Sequence, residues 1–134
     1  MAQAYKNMKI KSSTIIRIGL AFAFLANSLT AFISPNDFKE LLDATFISGL
    51  LPFLASPAFI YVIGINDALV SVLLFSGGRR ARIIEWWALL WLIGVLIIKA
   101  TGGNYFDALE EVGFAAMALA IIVHGRHTRQ DIHS

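Results

Sequence analysis

The chain has 134 residues, no cysteine and a formal net charge of +2 at pH 7. The lack of thiols excludes disulfides and cysteine-ligated metal sites, and so small a net charge does not indicate a nucleic-acid partner. Apolar residues make up 57% and charged residues 15% of the chain, against about 45–50% and about 25% in a soluble domain. A chain this short cannot bury so much apolar surface in a core of its own. The composition therefore favours an integral membrane protein.

The first apolar block covers residues 15–33, close to the ~20 residues that a helix needs to cross a bilayer. It ends at Ser34-Pro35, because the residue before a proline disfavours helix. Lys9 and Lys11 precede this block, as basic residues precede the apolar part of a signal peptide. Three more apolar blocks follow, so we interpret the segment as a retained first span.

The connection after the first span predicts a short amphipathic helix. Ser34 would cap it and Pro35 would open its first turn. Apolar and charged side chains alternate with helical spacing, which places them on opposite faces. The apolar face comprises Phe38, Leu41, Leu42 and Phe46, and the charged face comprises Asp37, Lys39, Glu40 and Asp43. Such a helix is expected to lie in the membrane interface.

Three further spans are predicted at 57–75, 83–98 and 106–124. Ser56 is a capping residue at the start of the second, and glycines end all three, at Gly77-Gly78, Gly102-Gly103 and Gly125. The predicted fold is thus all-α: one domain over residues 1–134, an integral membrane four-helix bundle with a short amphipathic helix between the first two spans.

Basic residues mark one side of this bundle. They cluster in the N-terminal arm, the middle loop and the tail, as Lys6, Lys9, Lys11, Arg17, Arg79, Arg80, Arg82, Arg126 and Arg129. The two other connections contain only Lys39 and Lys99, together with most of the acids. Because loops rich in lysine and arginine stay in the cytoplasm, both termini are predicted to be cytoplasmic.

Asp67 lies near the middle of the second span, beside Asn66. A charge at that depth costs about 2.5–3.5 kcal/mol, so the side chain should face the protein interior. Gly64, Asp67 and Ser71 share one helix face, and small or polar residues typically face other helices. Two interpretations stay open: a proton or ligand site, and a buried polar pair that fixes helix packing.

Arg17 is the predicted partner of Asp67, and Glu85 enters the third span from the same edge. Asp67 is about 12 Å in from that edge at 1.5 Å per residue, so a long side chain closes most of the gap. The candidate intramembrane polar site is therefore Arg17, Asn66, Asp67 and Glu85. In the alternative, Arg17 and Glu85 simply extend to water.

A second polar patch is predicted at the other edge. Glu110 and Glu111 lie one turn inside the fourth span, and Lys99 ends the third span on that side. Adjacent helical residues point about 100° apart, so one of the two acids should face the bundle and pair with Lys99. The alternative is a solvated helix end.

The third span carries an apolar stripe of Trp87, Trp91, Gly94 and Ile98. Gly94 allows another helix to approach closely. This stripe is a candidate face for a partner subunit or a quinone tail, and the alternative is packing against the protein's own helices. No nucleotide-binding loop, nucleophile elbow or zinc-ligand set is present, so no catalytic residue and no metal site is predicted.

Three short segments resemble the DoxX-like family of small four-helix membrane proteins of prokaryotes. An arginine followed by small and apolar residues opens the first span at 17–20. The second span has a glycine followed three residues later by an acid at 64–67, where the family usually has Glu and this chain has Asp67. A glycine and basic turn follows at 77–80. The resemblance covers residues 14–124.

This resemblance implies a place in the inner membrane of a prokaryote and a link to respiratory redox chemistry. The first hypothesis is a small membrane subunit associated with a quinone-linked redox complex, without independent catalysis. A quinone is the implied cofactor, and the partners are the lipid bilayer and other membrane subunits or a second copy. The alternative is a small proton, ion or solute transporter that uses Asp67. A third hypothesis is a structural protein that binds other helices.

Overall fold

The computed structural model describes residues 2–45, 47–77 and 81–133, with side chains described for 12–45, 49–54, 56–77 and 82–125. Every element in these ranges is helical. The order is α1 (Ala2–Ile33), α2 (Pro35–Asp43), α3 (Ile47–Leu50), a 3₁₀ turn (Pro52–Ala55), α4 (Pro57–Ser76), α5 (Ala81–Thr101) and α6 (Tyr105–His133). The all-α prediction is confirmed for the described residues.

Helix ends follow local chemistry in most places. The backbone N–H of Phe59 donates to Ser56 Oγ at 3.3 Å, which is the predicted cap of α4. Ser34 makes no such bond, so its predicted capping role is wrong, and Pro35 alone opens α2. α6 continues past Gly125, where a stop was predicted. A glycine inside a helix costs only about 1 kcal/mol, which the continuing backbone hydrogen bonds outweigh.

The four long helices share one core. α1 packs against α4 and α6, and α5 packs against α6 and α4. Each of the four contributes buried apolar side chains to the same cluster. These are Leu20, Ala21, Phe24, Val70, Leu74, Ala88, Leu92, Ala118 and Ile121. α1–α4 and α5–α6 are the closely packed pairs, whereas α4 and α5 are separated enough to leave space between them.

Small and hydroxyl side chains join α1 to α4. Ser28 Oγ donates to the Gly64 carbonyl at 2.8 Å, and Ser71 Oγ donates to the Ala21 carbonyl at 2.7 Å. Gly64, Asp67 and Ser71 are all buried, which confirms that their shared face points into the protein. These bonds satisfy polar groups that would otherwise be costly in an apolar interior.

Within the described residues, three helices are long and apolar enough to cross a membrane: Ser12–Ile33, Pro57–Ser76 and Arg82–Thr101. Large apolar side chains also cover much of their outer surface, for example Leu69 at 58% and Leu90 at 63% exposure. Such a surface suits lipid rather than water. These features indicate a membrane protein. α6 is not among the three, and its predicted crossing stays a prediction.

α2 is the predicted amphipathic helix between the first two spans. Leu42 is buried and packs with Ala31 and Ile60, and Phe38 packs against this small cluster. The charged residues of its other face are exposed, and Lys39 Nζ contacts Asp43 Oδ2 at 2.6 Å. Phe46, predicted on the apolar face, lies outside the described residues. α2 therefore covers the end of the bundle opposite Arg17 and Gly77, here called the α2 end.

Candidate functional site

Asp67 is the single acidic residue of α4 and is buried, with 2% of its surface exposed. Asn66 Nδ2 donates to Asp67 Oδ1 at 3.1 Å, and the Trp91 side chain lies near the Asp67 carboxyl group. Trp87 Nε1 donates to Asn66 Oδ1 at 3.0 Å. Trp87 of α5 thus holds the Asn66 amide of α4, which in turn bonds to Asp67, across the space between these helices.

The hydrogen bond from Trp87 to Asn66 was not predicted from the sequence. Trp87 and Trp91 were assigned to an apolar stripe, although their spacing of four residues also places both side chains on one face, towards one neighbouring helix. The indole N–H of a tryptophan usually finds a hydrogen-bond acceptor when the ring is partly buried. In the structure the two rings stack with centroids 6.1 Å apart, and the Trp87 N–H reaches α4.

The structure does not bring Arg17 to Asp67. The Arg17 guanidinium lies against Gly77, where an added Cβ would be 3.1 Å from one of its terminal nitrogens. Gly77 has φ +66° and is the C-terminal cap of α4, so it is about 15 Å along the helix from Asp67. Asp67 points towards α5, whereas Arg17 sits at the helix end. The predicted four-residue cluster is therefore divided.

Glu85 is the acid that accompanies Arg17. Arg17 and Arg82 are both close enough to Glu85 to attract its carboxylate electrostatically. These three residues form a small charged group at the basic end of the bundle. The side chains of the other lysines and arginines on this side, at positions 6, 9, 11, 79, 80, 126 and 129, lie outside the described residues.

The predicted second patch forms a tight ion pair. Lys99 Nζ lies 2.6 Å from Glu111 Oε1, and the two side chains are 15% and 1% exposed. Glu111 is the acid that faces the bundle, while Glu110 is exposed. The alternative of a solvated helix end holds for Glu110 but not for Glu111. Glu111 Oε2 is buried without a hydrogen-bond partner.

The two predicted patches lie close to each other. Glu111 is near enough to Asp67 for the two carboxyl groups to repel each other. In the sequence, the depth of Asp67 was counted from the basic edge and that of Glu111 from the opposite edge, so the two acids were treated as separate. Asp67 is about 15 Å and Glu111 about 9 Å from the starts of their helices at the α2 end, at 1.5 Å per residue. Asp67 thus lies at the middle of α4, and Glu111 lies in the α2 half of α6.

A polar cavity of about 220 Å³ connects this site to the α2 end. Asp67 and Trp91 line its inner part, and Asp37, Asn104 and Asp107 line it where they are exposed at the surface. Its remaining lining comes from α1, α2, α4 and α5. These residues are Asn27, Thr30, Phe38, Leu41, Ile63, Val95 and Lys99.

An apolar cavity of about 230 Å³ adjoins the polar one, between α2, α4 and α5. The predicted stripe of Trp87, Trp91, Gly94 and Ile98 forms one of its walls. A Cβ at Gly94 would meet no atom within 4 Å, so the glycine faces open space. The two cavities share several lining residues, namely Phe38, Leu41, Ile63, Trp91 and Val95.

Among the side chains that are described, no three His, Asp or Glu residues are grouped closely enough to hold a metal ion. A scan against family models finds no match, and no curated protein or solved structure is significantly similar to the chain. The resemblance to the DoxX-like family therefore stays a prediction. Function is inferred from the geometry of the site.

Proposed function

We propose that the protein is a small membrane subunit that binds a quinone-like amphipathic molecule within a redox complex, without catalysing a reaction alone. The observation that carries this proposal is the pair of adjoining cavities, one apolar and one polar, that meet at Trp91. Their combined size falls within the ~300–1,000 Å³ typical of small-molecule sites.

The membrane arrangement behind this proposal has α6 as the fourth crossing and both termini in the cytoplasm of a prokaryote. α6 runs beside α5 and supplies Ala118 and Ile121 to the common core, as a fourth transmembrane helix would. The basic segments then share the cytoplasmic side, in accord with the positive-inside rule. The α2 end faces the outside.

The chemistry of the two cavities matches a polar ring on an apolar tail. The apolar cavity would hold the tail against Gly94 and the Trp87 ring. The polar cavity offers the Lys99 ammonium as a hydrogen-bond donor to the headgroup. Asp67 would exchange a proton with the headgroup inside the polar cavity. A bound quinone would supply the redox chemistry, and a partner subunit would supply the electrons.

Filling the apolar cavity should weaken ligand binding without disrupting the fold. Gly94→Leu places a side chain in open space, and we expect the affinity for a decyl-substituted benzoquinone to fall about tenfold or more, equivalent to about 1.4 kcal/mol. Binding is measured on purified protein in mild detergent.

Gly113→Leu is the matched control. Gly113 is also a helical glycine with no atom within 4 Å of an added Cβ, but it is exposed on α6 and lines neither cavity. We expect it to bind the benzoquinone as the unaltered protein does. Equal weakening by both substitutions, or by neither, would contradict the assignment of the apolar cavity to the ligand.

Transport of protons or a small solute is the second candidate, because two buried carboxyl groups, Asp67 and Glu111, lie close together beside a polar cavity. Buried ionisable residues in membrane helices often mark ion or proton paths. If the purified protein binds no benzoquinone, yet moves protons in sealed vesicles and loses that activity in Asp67→Asn, this second function replaces the first.

A further inference from the structure

The polar cavity has an exposed mouth and a closed inner end. At the mouth, Asn104 and Asp107 belong to the α5–α6 connection and the start of α6, and Asp37 belongs to α2. All three are exposed. The cavity then passes Asn27 and Thr30 of α1 and reaches the buried Asp67. Polar side chains, set among apolar ones, therefore line the cavity from the surface to the middle of α4.

Beyond Asp67, the bundle is closed by apolar packing. The next buried residues of α4 towards the basic end are Val70, Ser71 and Leu74, and the Ser71 hydroxyl is bonded to the Ala21 carbonyl. Val70 and Leu74 pack with Leu20 and Phe24 in the common core. Close-packed apolar side chains exclude water, so the cavity has access from the α2 end alone.

The lining suits water. A cavity holds water when it has room for the molecule and two or more polar partners for it. The polar cavity has room for several water molecules, and it offers amide, hydroxyl, ammonium and carboxylate groups. Lys99, which lines the cavity, gives one hydrogen bond to Glu111, and its ammonium group has further N–H donors. Water in the cavity would accept from these donors, since polar groups removed from bulk solvent rarely stay unbonded.

We infer that the polar cavity is a water-filled half-channel, open on the α2 side of the membrane only, through which water and hydrated protons reach Asp67. This inference rests on the proposed function for its membrane arrangement but not for its ligand. Asp67 would exchange its proton with the aqueous phase on the α2 side, and the core around Leu74 would prevent exchange with the other side.

The absence of cysteine from the natural chain makes a direct test possible. Asn27→Cys places the single thiol of the protein in the wall of the half-channel. Ala26→Cys places it one residue away, on an exposed and lipid-facing part of α1. An impermeant, cationic methanethiosulfonate reagent is added outside intact cells, and labelling is followed by mass spectrometry. Asn104→Cys, at the mouth, reports access to the α2 side.

Because the thiolate reacts rather than the thiol, a thiol in lipid labels slowly. We expect Asn27→Cys to react at least ~100-fold faster than Ala26→Cys, and from the same side as Asn104→Cys. Thr30→Cys and Leu29→Cys form a second such pair, with Thr30 in the lining and Leu29 exposed on the outer surface. This pair decides the matter if Asn27→Cys does not fold.

Equal labelling rates within both pairs would overturn the inference. They would show that the cavity-lining side of α1 and its outer side have the same access to water. Labelling of Asn27→Cys only after the membrane is opened, with Asn104→Cys labelled in intact cells, would also overturn it. No quinone is present in this experiment. A failure of the half-channel is therefore distinguishable from a failure of ligand binding, which the Gly94→Leu measurement tests separately.

Discussion

Lys99→Met is expected to lower the free energy of unfolding by roughly 3–5 kcal/mol. Glu111 is 1% exposed, and Lys99 Nζ at 2.6 Å is its ion-pair partner. Removal of the lysine leaves a buried carboxylate without its compensating charge, in a region that also contains Asp67. The measurement is unfolding of the purified protein in detergent, compared with the unaltered chain.

Two further variants show whether the loss of stability comes from the buried ion pair or from the removal of a lysine as such. Lys39→Met breaks an ion pair of the same length, with Asp43, but both of its side chains are about half exposed. Exposed pairs contribute at most about 1 kcal/mol, so this change should be small. Adding Glu111→Gln to Lys99→Met removes the uncompensated charge and should recover much of the lost stability. Equal costs for Lys99→Met and Lys39→Met would show that the buried pair has no special role.

Gly64→Leu is expected to destabilise the protein by about 3 kcal/mol, the upper end of the range for an overpacked core. A Cβ at Gly64 would already lie 3.0 Å from the Phe32 ring and 3.1 Å from Ala31 Cβ. The larger side chain must push α1 and α4 apart. This also disrupts the hydrogen bond from Ser28 to the Gly64 carbonyl, 2.8 Å long. Thermal unfolding in detergent measures the loss.

The control for this substitution is again Gly113→Leu. It makes the same change in a helix, where nothing lies within 4 Å of the added Cβ. Exposed substitutions of this kind usually change stability by less than about 0.5 kcal/mol. If Gly64→Leu unfolds at the same temperature as Gly113→Leu, the close approach of α1 and α4 at Gly64 is not a feature of the folded protein.

Local signals in the sequence were sufficient to predict the four long helices and α2, but not α3 or the 3₁₀ turn. Apolar block length located α1, α4 and α5, and the spacing of Phe38, Leu41 and Leu42 predicted the amphipathic α2. Ser56 was a correct capping signal because a cap depends only on residues three positions away. Gly125 misled the prediction because the cost of one glycine is smaller than the hydrogen bonding that continues through it.

Two separate parts of the candidate site could be predicted from the sequence, but their arrangement relative to each other could not. Mid-membrane depth singled out Asp67, and helical geometry paired Lys99 with one of two adjacent acids. Residue spacing alone does not show which helices are neighbours at a given depth. Arg17 was therefore predicted to pair with Asp67, and the proximity of Asp67 to Glu111 was not predicted. The hydrogen bond from Trp87 to Asn66 and the two cavities depend on how α2, α4 and α5 pack, which is tertiary information.

Photochemical crosslinking tests the central claim of a bound quinone-like ligand most directly. A benzoquinone with a ring azide and a decyl tail is irradiated with the purified protein, and the adducts are located by mass spectrometry. We predict ring adducts at Trp91, where the polar and apolar cavities meet, and at Lys99, in the wall of the polar cavity. Adducts confined to lipid-facing residues such as Leu69 and Val72, or no adduct that excess unlabelled benzoquinone displaces, would contradict it.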